Sequence, residues 1–139
     1  MDKTARGTIY ACLALLLLTG TMMLTACQED IPVLSREEAS RLTMTDFYGD
    51  WDTTLPNGEK WQLRLHEDGR FEVVPIRSHR SGISGRWEVA DSGIVWHYPG
   101  GPQTRGVTKE INPIILKTEN KFMLSEKMGM TSVYTRSPR

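Results

Sequence analysis

From Thr43 onward, residues that turn or break a chain recur roughly every 8 to 12 positions, which leaves room only for short extended segments. The punctuation is carried by Asp68-Gly69, Asp91-Ser92-Gly93, Pro99-Gly100-Gly101-Pro102, Glu119-Asn120 and Met128-Gly129. Between these points apolar and polar residues alternate. Trp61, Leu63 and Leu65 share one face while Gln62, Arg64 and His66 share the other, and Ile83, Gly85, Trp87 and Val89 oppose Ser84, Arg86 and Glu88. Asp68-Gly69 supplies the positive φ that a tight hairpin needs. Strands are therefore predicted over 61–66, 71–76, 83–89, 94–98, 106–116, 122–126 and 130–136, with a first one at Gly49-Asp50-Trp51. The predicted fold class is all-β, a small antiparallel up-and-down meander or barrel of about eight strands. Pro113 lacks a ladder donor, so its strand is predicted to lie at an edge or to be bulged there.

The start of the chain follows other rules. Lys3 and Arg6 precede a nearly unbroken apolar run from Ile9 to Leu18, and small residues follow up to Ala26, the three-part build of a secretory signal. The run is short for a membrane span, which takes about 20 apolar residues. An uncleaved N-terminal anchor is the other way to read it, and both leave the domain tethered to a membrane. Leu24-Thr25-Ala26-Cys27 closes the segment and resembles the lipobox of bacterial lipoproteins. The resemblance implies cleavage before Cys27, a diacylglyceryl group on its thiol and often an N-acyl chain on the freed amine. Residues 1–26 are then signal peptide. Each buried CH₂ contributes about 0.8 kcal/mol, and one chain anchors only marginally, so two signals or more make the attachment stable. The chain holds 2 cysteines, Cys12 and Cys27. With the first removed and the second lipidated, neither a disulfide nor thiol catalysis is expected.

Residues 27–43 are predicted to be an acylated tether with a short helix. Ser35 with Glu38 fits a capping box, and Leu34 with Ala39 fits the staple across it, so the helix is placed over Ser35 to Leu42. Leu42 is its only strongly apolar residue, which predicts light packing at the domain's edge.

Four pieces of the β region carry a further likeness: Gly49-Asp50-Trp51, Asp68-Gly69-Arg70-Phe71, Ser84-Gly85-Arg86-Trp87 and Tyr134-Thr135-Arg136. In this order, over residues 44–136, they resemble the lipocalin-like domains of bacterial lipoproteins. The resemblance implies a calycin-type barrel in which Trp51 plugs one end and Arg136 lies across it as a structural pair. Cation–π packing between the two would contribute about 0.5 to 2 kcal/mol. The chain departs from a full lipocalin in its length, in lacking a helix after the last strand, and in showing no second lipocalin motif.

Eight strands enclose an interior that side chains fill or that holds one small ligand. Trp61, Phe71, Trp87, Trp96, Tyr98, Phe122 and Tyr134 are candidates to fill it, which favours a packed core over a cavity. His66, His79 and His97 sit on different predicted elements without metal-motif spacing, and no nucleophile elbow, phosphate loop or carboxylate pair stands out. A non-catalytic protein is expected, without metal or cofactor apart from the covalent lipid on Cys27. The 17 basic and 17 acidic residues cancel, which gives no footprint for nucleic acid. Positive charge gathers at Arg77, His79, Arg80 and Arg86, read either as contact for an acidic partner or as a solvated loop paired with Glu72 and Glu88. The expected role is a lipid-anchored envelope module for structure or interaction, partnered by the membrane and another envelope protein. The alternative is a carrier or sensor of a small apolar molecule. Gln28 is not the Asp that commonly retains lipoproteins at the inner membrane, so the resemblance implies the periplasmic face of the outer membrane.

Overall fold

The computed structural model describes residues 33–138; the signal segment, Cys27 and Gln28 lie outside the described residues. Helix α1, Arg36–Ser40, is shorter than predicted but carries the predicted capping box. Glu38 N–H donates to Ser35 Oγ at 3.2 Å, and Ser35 N–H donates to Glu38 Oε2 at 2.8 Å. The segment is tied down more firmly than one apolar residue suggested. Ala39 is buried, Leu34 and Leu42 pack on the core, and the Leu34 N–H donates to Ile115 O at 2.8 Å. Among the described residues no helix is long and apolar enough to cross a membrane.

The strands are β1 (Gly49–Thr54), β2 (Lys60–Leu65), β3 (Arg70–Pro75), β4 (Ile83–Ala90), β5 (Gly93–His97), β6 (Lys109–Lys117), β7 (Lys121–Ser125) and β8 (Thr131–Arg136). Each pairs antiparallel with the next, and β1 pairs with β8 through Trp51↔Arg136, Asp52↔Thr135 and Thr53↔Tyr134. The sheet is thus a closed eight-stranded barrel without a free edge. Turn chemistry drives the hairpins. Asp91 (φ 52°) and Ser92 (φ 63°) both adopt the left-handed conformation that a two-residue type I′ turn demands, joining Ala90 to Gly93. Gly85 is fixed by close approach instead. A Cβ there would sit 2.2 Å from His97 O and 2.8 Å from Phe71 Cε1, so the Phe71 ring lies over the glycine.

Pro113 is accommodated differently from the prediction, because β6 has two neighbours and the register shift comes later, between Ile114 and Leu116. The Ile114 N–H points to β5, donating to Ser92 O at 3.0 Å, so position 113 faces β7 with no donor. The Asn112 side chain substitutes, its Nδ2 donating to Ser125 O at 3.3 Å. The shift after Ile114 also reverses the alternation, pairing Lys117 with inward Phe122 and Leu116 with Met123.

Antiparallel order divides the loops between two ends. The β2–β3, β4–β5 and β6–β7 turns lie at the end that also receives Phe47 and Tyr48, and the β1–β2, β3–β4, β5–β6 and β7–β8 loops lie at the other. The first is here the closed end and the second the open end. Between them runs one core of Phe47, Trp51, Leu63, Leu65, Phe71, Trp87, Ile94, Trp96, Ile114, Phe122 and Leu124, with Tyr98 and Tyr134 packed against it. Trp61, predicted inside, is only half-buried and stands apart from this cluster.

Candidate functional site

The closed end is built around Trp51, which is 0% exposed. Its indole N–H donates to Phe47 O at 2.7 Å, and Phe122 meets its ring edge-on at 4.7 Å. Arg136 Cζ stands 3.8 Å from the centre of the Trp51 ring, while an Arg136 guanidinium N–H donates to Tyr48 O. Gly49 (φ +114°) makes this possible, since a Cβ there would lie 2.7 Å from Arg136 Nη1. The β6 shift brings a second cation, Lys117 Nζ, to 5.6 Å from the Phe47 and Trp51 ring centres. Burial, and then the repulsion of Arg136, pulls the Lys117 ammonium below its usual range. Hydrogen bonds, stacking and close packing there close the wall of the barrel, and a groove of about 690 Å³ lined by Tyr48, Gly49, Gln62, Glu119 and Arg136 among others lies against it.

The open half of the barrel contains an interior cavity of about 130 Å³. Leu63, Phe71, Val73, Ile83 and Trp96 form its floor and walls, and Tyr98, Glu110, Asn112, Glu126 and Tyr134 bring polar atoms into it. These groups form two linked sets. In one, Trp96 Nε1 donates to Asn112 Oδ1 at 2.8 Å, Asn112 Nδ2 donates to Glu126 Oε2 at 2.8 Å, and Ser132 Oγ donates to Glu126 Oε1 at 2.6 Å. In the other, the Tyr98 hydroxyl donates to Glu110 Oε2 at 3.4 Å, and Lys127 Nζ lies 3.3 Å from Glu110 Oε1. Burial, reinforced by Glu110, raises the Tyr98 hydroxyl well above its ordinary range, and burial with Glu126 pushes Tyr134 up to about 12.

The arginines singled out in the sequence are not gathered on one face. Arg77, His79 and Arg80 are exposed on the open-end loop between β3 and β4, where Arg80 Nη1 is 3.4 Å from Glu59 Oε2. Arg86 instead directs its guanidinium to the β2–β3 turn, donating to Asp68 O at 3.0 Å. The histidines remain apart too: His97 Nε2 is 2.9 Å from Glu88 Oε1, His66 Nε2 is 3.7 Å from Glu72 Oε1, and His79 is on the exposed loop. Among the described residues no group of three or more His, Cys, Asp or Glu side chains is placed to hold a metal ion.

No family model, curated protein or solved structure matches this chain. What the site can do therefore follows from its geometry. Glu110, Asn112 and Glu126 were not anticipated as interior groups. A signal existed in β6, where Glu110 and Asn112 are in phase with Ile114, which puts Ile111 outside at 46% exposure and Asn112 inside at 4%.

Proposed function

We propose that the protein is a lipid-anchored envelope protein, tethered through acylated Cys27, whose β-barrel serves as a non-catalytic structural or interaction module. The observation that carries the choice of module over carrier is the filled interior. Aromatic and aliphatic side chains occupy the barrel and leave about 130 Å³, against the roughly 300 to 1,000 Å³ of ordinary ligand pockets. The remaining space also presents two carboxylates, which suit an apolar guest poorly because burying them against it strips water without replacing it.

Leu24-Thr25-Ala26-Cys27 behind a signal-like segment supports the anchor, and Gln28 supports the periplasmic face of the outer membrane. The lipocalin-like motifs remain a likeness that the closed barrel accommodates. Contact with a partner then falls to the open-end loops, where Arg77 and His79 are exposed beside Ile76 at 44% exposure. The test is expression of the wild-type chain and Cys27→Ser in a Gram-negative host, with metabolic labelling by a fatty acid and membrane fractionation. Wild-type chain that is labelled and sediments with the outer membrane, alongside unlabelled Cys27→Ser, is the expected result. Unlabelled wild-type protein would overturn the anchor.

A further inference from the structure

The open-end cavity joins an aromatic wall to negative charge. Phe71 meets Trp96 edge-on at 5.0 Å and Tyr98 edge-on at 5.7 Å, and the Glu110 and Glu126 carboxylates face the same space. Both carboxylates act on Tyr98 and on Tyr134, so their fields overlap across the cavity. Ring faces are negative as well, and a cation gains from rings and carboxylates together. At the closed end the chain supplies that cation itself, with Arg136 over Trp51. At the open end its counterpart is Lys127, whose side chain is 74% exposed and touches Glu110 from the lip.

We propose that this cavity binds a small alkylammonium ion, held by Glu110 and Glu126 against Phe71, Trp96 and Tyr98, with Lys127 as its built-in competitor. Size sets the class. About 130 Å³ is close to the roughly 150 Å³ that accepts benzene, enough for a compact ammonium and far too small for a lipid, a sugar chain or a nucleotide. Charge sets the rest. Among the described residues Glu126 is hydrogen-bonded by Asn112 and Ser132 but meets no cation, and Glu110 has only the exposed Lys127, so an ammonium supplies the counter-charge that a neutral guest cannot. Metal is the poorer match, because among the described residues no group of three or more His, Cys, Asp or Glu side chains is placed to hold one, and the rest of the polar lining is one amide and two tyrosine hydroxyls. The site goes beyond the envelope-module reading and does not depend on lipidation.

The test uses the full chain in detergent micelles with isotope-labelled tryptophan, titrated with tetramethylammonium chloride and, separately, with tert-butanol as its neutral counterpart at matched ionic strength. The Trp96 indole N–H reports the site, because it is bonded to Asn112, which is bonded to Glu126. A saturable shift of that signal with the ammonium but not with the alcohol is expected. Glu126→Gln should weaken the ammonium about tenfold or more. Lys127→Ala, at an exposed position in the β7–β8 connection, should tighten it roughly threefold by removing the competitor. Equal response to the alcohol, no saturable response to the ammonium, or an unchanged affinity in Lys127→Ala would each overturn the proposal.

Discussion

At the closed end of the barrel two cations, Arg136 and Lys117, lie over Trp51 and Phe47, and at the open end two carboxylates, Glu110 and Glu126, lie among Trp96, Tyr98 and Tyr134. Both ends are aromatic, yet they differ in what is left over. The closed end spends its polar groups on backbone: Trp51 on Phe47 O, and Arg136 on Tyr48 O. Gly49 (φ +114°) holds a backbone conformation that L side chains rarely adopt, directly beneath the guanidinium. The open end keeps side chains bonded to side chains around a small space, with its negative charge turned inward. One end is built for stability and the other is the proposed recognition site, and substitutions should separate them.

The largest effect belongs to Trp51→Ala, which empties the plug and should lose about 3 to 5 kcal/mol in urea denaturation. A loss under about 1 kcal/mol would mean that the closed end is not the keystone its burial indicates. Asn112→Ala is next, at about 1 to 3 kcal/mol, because it strands the Trp96 indole N–H, the Ser125 carbonyl and the Glu126 carboxylate together. Arg136→Met keeps much of the packing but loses the stacked charge, and should lose about 1 to 2 kcal/mol with a salt dependence smaller than for a surface pair.

Alkaline titration sharpens the contrast from the other side. Burial raises Tyr98 and Tyr134 above the ordinary tyrosine value of 10.0, so the folded state keeps protons that the unfolded state gives up. The stability these hydroxyls contribute is fully present below pH 10.0 and is lost as pH rises toward the folded Tyr134 value of about 12. Denaturant midpoints followed across that window should fall for the wild type and fall less steeply for Tyr98→Phe/Tyr134→Phe. Smallest of all is Lys127→Ala, whose ion pair is exposed on the lysine side; its unfolding free energy should stay within about 0.5 kcal/mol of wild type even as cation affinity changes.

Where local chemistry decides structure, the sequence was legible. Turn residues such as Asp68-Gly69 and Asp91-Ser92-Gly93 marked the hairpins, period-two alternation marked β2 and β4, and Ser35 with Glu38 marked the helix start. Closure of the barrel was less accessible, because the β1–β8 pairing joins segments more than 80 residues apart and leaves no local trace. Pro113 predicted an edge or a bulge at its own position; instead β6 has two neighbours and the shift comes after Ile114, with the Asn112 side chain donating to Ser125 O where proline has no N–H. Glu110 and Asn112 point inward with Ile114, and Glu126 reaches the cavity from just beyond β7. Sequence proximity did not show that Arg80 and Arg86 separate in space: their guanidinium groups are drawn to Glu59 at one end and Asp68 at the other.

The most direct test of a filled, non-carrier barrel is native mass spectrometry of the chain after exposure to a lipid extract, paired with its thermal midpoint, because a guest bound only to the folded state must raise that midpoint. An apo mass and an unmoved midpoint are predicted. A retained apolar molecule that raises the midpoint would contradict the filled interior and make the protein a carrier.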